Sequence, residues 1–331
     1  MVNGNAKRVT ADLIAMLDRV LDGGDVFVSR RLEDGPDIAR VIVDRGYGTV
    51  LTGGGDGTFT VVVTDVVGEA RRRGAQTPRF GLLKLGTGNA LAWVVGAGAG
   101  GRELEADVRR LQREAGSRSL RLVECEGYLA PFAGFGADAV MLADYSATRA
   151  RLSRTPLRRF AAGPLGYAVA ATTRTLPSYV VRPQPHFRVV NLGAPARRVL
   201  DGGASQGPEI AAGEVIYEGP ARVASVATIP YFGFGFRFFP YADERDDRMH
   251  LRISTITSAR LVANFPAIWR GDFDDPSVAF DYLVEAVRIE SSPESPFQIG
   301  GDPQGVRAAV ELRLTPEPIR LVDHYSPPSS T

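Results

Sequence analysis

The chain has 331 residues, a length that suggests two domains rather than one. Hydrophobic residues make up 44% and charged residues 23%, a balance that builds real cores and excludes a disordered chain. A net charge of +1 argues against nucleic-acid binding as the main task, and no run of about 20 apolar residues is present to span a membrane.

In chain order, residues 10–22, "TADLIAMLDRVLD", place Leu13, Ile14, Leu17, Val20 and Leu21 on one helical face, and Gly23-Gly24 stops that helix. "DVFVSR" (25–30) reads as a short strand. Pro36 opens a second helix, "PDIARVIVDRG", which ends at Gly46. "GTVLT" (48–52) is a buried strand, and the loop "GGGDGT" (53–58) follows it. "TFTVVVTDVVGEARRRG" (58–74) is a helix with Phe59, Val62, Val63 and Val66 inward. "RFGLLKL" (79–85) is another strand, "GTGNALAWVVG" comes next, and "RELEADVRRLQREAG" (102–116) is a charged surface helix. Strands alternating with helices imply a parallel sheet with helices on both faces.

Near residue 117 the pattern changes. From about 120 to 315 the apolar runs are short and strand-like: "GYLAPFAGF", "HFRVVNL", "EVIYEG", "RVASVATI", "FGFGFRFF", "MHLRIST", "AVRIES" and "AVELRLT". They imply a mainly antiparallel β domain, a sandwich or a barrel, interrupted by helical pieces around 141–176 and 258–269. "LDGGASQGPEIAAGE" (200–214) reads as an exposed hairpin loop, and the tail "HYSPPSST" as disordered.

The single cysteine, Cys125, lies in an apolar stretch and reads as a small core residue. His186, His250 and His324 are scattered with no zinc spacing. The N-terminus, "MVNGNAKRVT", has no signal-peptide pattern, so the expectation is a soluble cytoplasmic protein, peripheral at a membrane surface. "TRARLSRTPLRRF" (148–160) holds Arg149, Arg151, Arg154, Arg158 and Arg159 beside Leu152, Leu157 and Phe160; it is either a solvated basic helix or a contact for anionic lipid. Read as a strand, "YFGFGFRFF" (231–239) puts Phe232, Phe234, Phe236 and Phe238 on one face, as a sandwich core or an acyl-chain wall.

The two glycine turns carry the chemistry. "GGGDGT" (53–58) and "LGTGNAL" (85–91) each stand after a strand and before a helix. There backbone N–H groups approach phosphate oxygens unobstructed, and the helix dipole adds positive potential. Loops at successive strand ends face each other at the carboxyl edge of the sheet, where α/β folds bind ligands. Neither is a Walker loop, and neither has the G-x-G-x-x-G spacing of a dinucleotide fold.

The pairing of "GGDGT" with "GTGNALA" about 30 residues on resembles the catalytic domain shared by diacylglycerol kinases, sphingosine kinases and bacterial YegS-like lipid kinases. "VNGNAK" (2–7), "AGFGADA" (133–139), "GPLGYAVAATTRTL" (163–176), "PYADERDDRMHLRI" (240–253) and "FQIGGDP" (297–303) are similar to further elements of that family. The resemblance implies an α/β nucleotide domain over residues 1–118, a β-sandwich lipid domain over 119–315, and a segment 316–331 that returns to the first domain and ends in a disordered tail. It implies an ATP- and Mg²⁺-dependent kinase acting on the hydroxyl of a diacylglycerol, a long-chain base or a related lipid alcohol in the cleft between the domains. Its implied nucleotide contacts are Asn3, Asn5, Ser29, Gly54, Gly55, Asp56, Gly57, Thr58, Gly86, Thr87, Gly88 and Asn89. Membrane contact through 148–160 is expected, nucleic acid is not, and a homodimer is left open.

The sequence also departs from the family. Its D-G-E reads Gly300-Gly301-Asp302, its N-D-F reads Asn89-Ala90-Leu91, and its D-D-G reads Asp246-Asp247-Arg248. An expected aspartate falls at Arg121, an expected glutamate at Val61, and the usual proline at Lys84. Phosphoryl transfer to an alcohol needs a positioned γ-phosphate, a metal ion and a base. With Gly300 in place of one candidate base, Asp56 is expected to serve as base and metal ligand, with Asp302 as helper or substitute and Asp247 as a second metal position. The alternatives are that Asp56 only caps the following helix, that Lys84 is a solvated side chain rather than a phosphate contact, and that Asp247 is a plain turn residue. An NAD kinase and a non-catalytic nucleotide or lipid sensor are the competing functions.

Overall fold

A computed structural model describes residues 1–6, 8–21, 23–86, 89–97, 104–106, 108–109, 116–136, 184–200 and 204–323. The chain divides into two compact units. The first takes Met1–Leu122, Gly127–Ala130 and the chain from Thr315; the second takes Val123–Glu126 and Pro131–Leu314. The expected helical pieces of 141–176, the arginine segment 148–160 and the tail lie outside the described residues.

The first unit is a sheet with the order β2 (Val28–Ser29), β1 (Val2–Asn3), β3 (Thr49–Gly54), β4 (Arg79–Lys84), β18 (Ile319–Asp323) and β5 (Gly116–Leu120). All neighbours run parallel except β5, which is antiparallel to β18. One face packs on helix α1 (Ala11–Val20): Val2, Leu83 and Leu85 of the sheet side meet Leu17, with Leu104 and Val108 in the same core. Helix α1 starts where the Thr10 hydroxyl accepts the Leu13 N–H at 3.2 Å, satisfying one first-turn donor. Helix α2 (Asp34–Asp44) packs on α3 (Asp56–Arg73). In α3 the buried Phe59, Val62, Val63, Val66, Val67 and Ala70 repeat at helical spacing, and each fully buried Val or Phe contributes about 1.5–3 kcal/mol over exposure. The helix stops at Gly74, whose φ of +62° is the left-handed cap conformation. Arg71, Arg72 and Arg73 stand in its last turn, against the negative end of the dipole.

One residue of α3 is out of keeping with its surroundings. Asp65 Oδ2 is buried without a hydrogen-bond partner and lies against Gly35, where an added Cβ would sit 2.2 Å away. Burial pushes the Asp65 carboxyl up to about 6. A carboxyl raised in the folded state gives stability that is complete below its unfolded pKa and is lost as pH rises through the folded one. Asp65→Asn is therefore expected to match wild type near pH 4 and to exceed it by about 1–2 kcal/mol at pH 8, the side chain being only partly buried. Urea unfolding at the two pH values measures this; equal gains at both would refute it.

The second unit is a large antiparallel sheet. Its strands run β11 (Ala204–Ile210), β10 (Ala196–Leu200), β15 (Ala279–Val284), β14 (Met249–Ser254), β13 (Val223–Ala227), β8 (Phe132–Gly136), β16 (Ala286–Ile299), β17 (Asp302–Leu314) and β6 (Val123–Cys125). Strand β9 (His186–Asn191) joins β16 on its own and carries β12 (Val215–Pro220). Every residue of β8, β13 and β14 is buried, including the polar His250, Arg252 and Ser254 that alternate along β14. Phe135 packs on Phe187 and Phe297 with ring centroids 5.7 and 5.0 Å apart. Cys125 is buried here, and burial pushes its thiol up to about 12, as expected of a core residue. The α/β-plus-antiparallel-β fold class expected from the sequence holds.

Two local expectations do not. Residues 231–239 form no strand. Gly233, Phe234 and Gly235 have φ of +125°, +51° and +80°, a succession that turns the chain and breaks the alternation. Phe232, Phe234, Phe236 and Phe238 are consequently half-buried rather than one core face. Within 200–214, residues 204–210 are strand β11 paired to β10, so most of that segment is sheet rather than loop. Helices α5 (Ser258–Ala263) and α6 (Phe265–Arg270) occupy the second expected helical piece, and no helix among the described residues is long and apolar enough to cross a membrane.

Candidate functional site

Parallel strands deliver their carboxyl ends to one edge, and in the first unit β3 and β4 run side by side with Gly54 opposite Lys84. Each then feeds a glycine turn and a helix, α3 and α4 (Ala90–Val95). The two turns touch backbone to backbone. The Gly86 N–H donates to the Gly54 carbonyl at 2.7 Å, and a Cβ on Gly86 would lie 2.3 Å from Gly55 Cα and 2.5 Å from Gly55 N. Gly86→Ala is therefore expected to force the loops apart and cost about 1–3 kcal/mol of stability. Thermal unfolding with and without nucleotide measures it, and an alanine variant as stable as wild type would sink the close-approach argument.

The start of α3 is open to an anion. Gly55 is its N-cap and has no side chain to satisfy the first-turn amides. Thr58, in that first turn, receives a hydrogen bond from Asn3 Nδ2 at 3.1 Å. Asn3 Oδ1 accepts the Asn5 N–H at 2.9 Å, and Asn5 Nδ2 donates to the Arg30 carbonyl at 2.7 Å. Asn3, Gly54, Gly55, Asp56, Gly57, Thr58, Gly86 and Asn89 thus lie at one edge, with Asn5 tied to Asn3. Ser29 ends β2, and its carbonyl accepts the Gly4 N–H at 2.8 Å. Thr87 and Gly88 lie outside the described residues.

Asp56 does not cap its own helix. Its carboxylate reaches across to α4, accepting the Ala90 N–H on Oδ2 at 2.8 Å and the Leu91 N–H on Oδ1 at 3.3 Å. Asn89 holds the N-cap position of α4 in the left-handed region (φ +49°) but makes no side-chain cap bond. Its Nδ2 instead donates back to the Gly86 carbonyl at 2.7 Å. Asp56 supplies the missing cap from the other loop. Its negative charge is met by the amides of α4, which leaves the amide end of α3 for a different anion.

The carboxylates of the second unit differ sharply. Gly300 and Gly301, with φ of +57° and +85°, form the two-residue turn of the β16–β17 hairpin, and Asp302 is the first residue of β17. Asp302 is exposed at the start of β17, and the partial desolvation it meets raises its carboxyl above the ordinary range. Asp247 is forked by Arg245 at 2.8 Å on each oxygen and receives Arg248 at 2.9 Å. The hydrogen bond from Arg245 holds its carboxyl below the usual range. Two guanidinium groups on one carboxylate give it no need of a metal ion, so the structure does not favour the metal position expected there. Among the described residues no group of three or more His, Cys, Asp or Glu side chains is gathered for a metal.

The sequence leaves Lys84, at this edge, between a solvated side chain and a phosphate contact. Lys84 Nζ lies over the Trp93 ring, 4.8 Å from its centroid, and Arg8 Nη1 donates to the Lys84 carbonyl at 3.4 Å. The pair spans the turn between β4 and α4, and an aromatic nine residues after a loop lysine is too common a pattern to single out.

The sequence of this unit matches a known family. Residues 2–125 match the model of the diacylglycerol kinase catalytic domain. No curated protein matches the chain. Three solved structures from Bacillus anthracis str. Sterne are similar to it in fold. One is described as a diacylglycerol kinase, with 13% identity, TM-score 0.62, and coverage of 97% of this chain and 94% of that one. The other two are provisionally assigned diacylglycerol kinases, each with 15% identity and coverage of 97% and 95%, at TM-scores of 0.64 and 0.63.

Proposed function

We propose, for a chain whose residues 2–125 match the diacylglycerol kinase catalytic domain, an ATP-dependent lipid kinase that phosphorylates the hydroxyl of a diacylglycerol, a long-chain base or a related lipid alcohol. The observation that carries the reading is the pair of glycine turns in backbone contact, with the α3 N-terminus uncapped by any side chain. That cradle fits a polyphosphate, because Gly54, Gly55 and Gly86 bring no Cβ to it and a helix N-terminus presents its first-turn amides to an anion. Mg-ATP, when bound, supplies the phosphoryl group and the cation that neutralises its charge.

The chain's own residues do the rest. The amides at the start of α3 orient phosphate oxygens. Thr58, fixed by Asn3, keeps that first turn in register with β1. Asp56, held by the Ala90 and Leu91 amides of α4, is the carboxylate of these turns assigned to the metal ion or the substrate hydroxyl. Asp302, with its raised carboxyl, is the second group suited to take a proton.

The test is transfer of labelled phosphate from Mg-ATP to a panel of diacylglycerols, long-chain bases and other lipid alcohols, with products identified by mass. Incorporation into one lipid class supports the proposal. A second reading draws on Asp56's engagement with α4: a nucleotide-binding protein that does not turn over. Thermal stabilisation by ATP with no product from any lipid would favour it and defeat the kinase.

A further inference from the structure

We propose that the helix pair α5–α6 of the second unit is a membrane-interface element that seats on uncharged lipid, with Val262 and Phe265 entering the acyl layer and Trp269 at its boundary. The inference rests on the lipid-kinase reading above and deepens it, because an enzyme whose substrate is a water-insoluble alcohol works at a lipid surface.

The pair turns its apolar residues the wrong way for a core element. A surface helix ordinarily directs its apolar stripe inward. Helix α5 buries none of its residues, and its Val262 is 59% exposed. In α6 only Ile268 is buried, while Phe265 is 47% exposed. Phe265 and Trp269 stand four apart on one face of α6, with ring centroids 5.5 Å apart. Trp269 is in turn stacked on Phe236, at 5.1 Å and an interplanar angle of 12°. The rings form one platform rather than scattered apolar residues. It is firmly mounted: the Arg237 N–H donates to the Trp269 carbonyl at 3.0 Å, and a Cβ on Gly271 would lie 2.9 Å from the Arg237 carbonyl oxygen. A surface ordered in advance loses little entropy when it is covered.

Charge selects the occupant. Arg260 is paired with Asp275, Arg270 Nε with Asp272 at 2.8 Å, and Arg237 Nη2 with Asp243 at 3.9 Å. Between 258 and 276 two arginines stand against three aspartates. A contact for anionic lipid needs surplus positive charge, and this stretch has none. What it offers instead is an indole and phenyl rings, which favour the headgroup boundary, and exposed valine and phenylalanine side chains for the acyl layer. Zwitterionic or neutral lipid complements such a face.

The experiment titrates the full-length protein with phosphatidylcholine vesicles carrying brominated acyl chains, in a Trp93→Phe background that leaves Trp269 as the one tryptophan. Trp269 emission is expected to shift to the blue and to be quenched, with little change between low and high salt. Phe265→Ser should weaken binding about tenfold and Val262→Ser about threefold, with thermal unfolding unchanged because both side chains are exposed. Phe265→Leu should restore most of the binding. No quenching, equal binding by Phe265→Ser, or binding confined to anionic vesicles and abolished by salt overturns the inference. So does a vesicle-independent dimer in sedimentation that Phe265→Ser dissolves, which assigns the face to a second copy. Transfer of phosphate to a water-soluble short-chain diacylglycerol, without Phe265-dependent vesicle binding, keeps the kinase reading and defeats this element. Phe265-dependent binding with no transfer to any lipid does the reverse.

Discussion

Asp281→Ala is expected to cost the second unit about 3–5 kcal/mol, enough to leave most single domains barely folded. Asp281 lies on β15, and Arg252 and His250 lie on β14, all almost wholly buried. Arg252 Nε donates to Asp281 Oδ1 at 2.7 Å and Nη2 to Oδ2 at 2.9 Å, while His250 Nε2 meets Oδ1 at 2.7 Å. Burial alone would raise the Asp281 carboxyl, but the Arg252 charge and then His250 outweigh it and hold it well below the usual carboxylate range. Burial also lowers His250, which keeps it a neutral donor to the carboxylate. Removing the aspartate leaves a buried guanidinium in the sheet without its hydrogen-bonded counter-charge, with only the more distant charge of Asp274 to oppose it. Arg252 Nη1 also donates to the Phe238 carbonyl at 2.7 Å, so the loss spreads to the turn segment 231–239.

The pH dependence follows with a definite sign. A depressed carboxylate gives stability above its unfolded pKa and loses it as pH falls through the folded one. A buried neutral His adds a separate loss as pH drops below about 6.5, where the unfolded chain takes up its proton. Wild type should weaken in both windows, and Asp281→Ala should lack the lower one. Trp269 fluorescence in urea at pH 8, 5.5 and 3.5 follows this unit. Asp281→Asn, which keeps the shape and one acceptor, should fall between the two. An alanine variant within about 1 kcal/mol of wild type would show that the pair is not holding the sheet.

That cluster was hidden in the sequence for a physical reason. His250 and Arg252 sit two apart in "MHLRIST", so they share a strand face, but their partner is about 30 residues away and only strand register brings Arg252 opposite Asp281. Charged residues at alternate positions inside an apolar run are the signal that was available. Legible features were those set by local chemistry: the inward stripe of α3, the glycine turns at strand ends, and the alternation of strand and helix before residue 117. The misread strand at 231–239 is also instructive. Its aromatic alternation is genuine, but a Gly-x-Gly with Phe234 at φ +51° decides the backbone first. At Gly300-Gly301 local conformation again decides, two adjacent left-handed glycines making the hairpin turn, although the sequence pair reads only as a departure from a family motif. What no local rule supplies is the reach of Asp56 to α4, because it depends on how closely two glycine backbones approach.

Asp56→Asn is expected to lower lipid phosphorylation about a hundredfold to ten-thousandfold if Asp56 serves the reaction, and its structural duty makes the form of that loss informative. Both oxygens accept amides of α4, on Ala90 and Leu91. An asparagine keeps one acceptor and turns an NH₂ toward the second amide, so one N–H goes unpaired at a cost of about 1–2 kcal/mol. If Asp56 only joins the loops, the variant should lose nucleotide affinity in step with stability: KM for ATP rises, and kcat at saturating ATP stays near wild type. If it also handles the metal ion or the hydroxyl proton, kcat falls while ATP affinity changes little beyond the loss that stability accounts for. Asp302→Asn separates the two carboxylates. The loss of its charge should shift the acidic limb of the kcat profile if Asp302 takes the proton, and leave that limb in place if Asp56 does. The geometry gives a carboxylate among the amides of these glycine turns a structural task. By meeting the α4 terminus from the α3 side, Asp56 ties the two glycine turns together, while the start of α3 has no side-chain cap of its own.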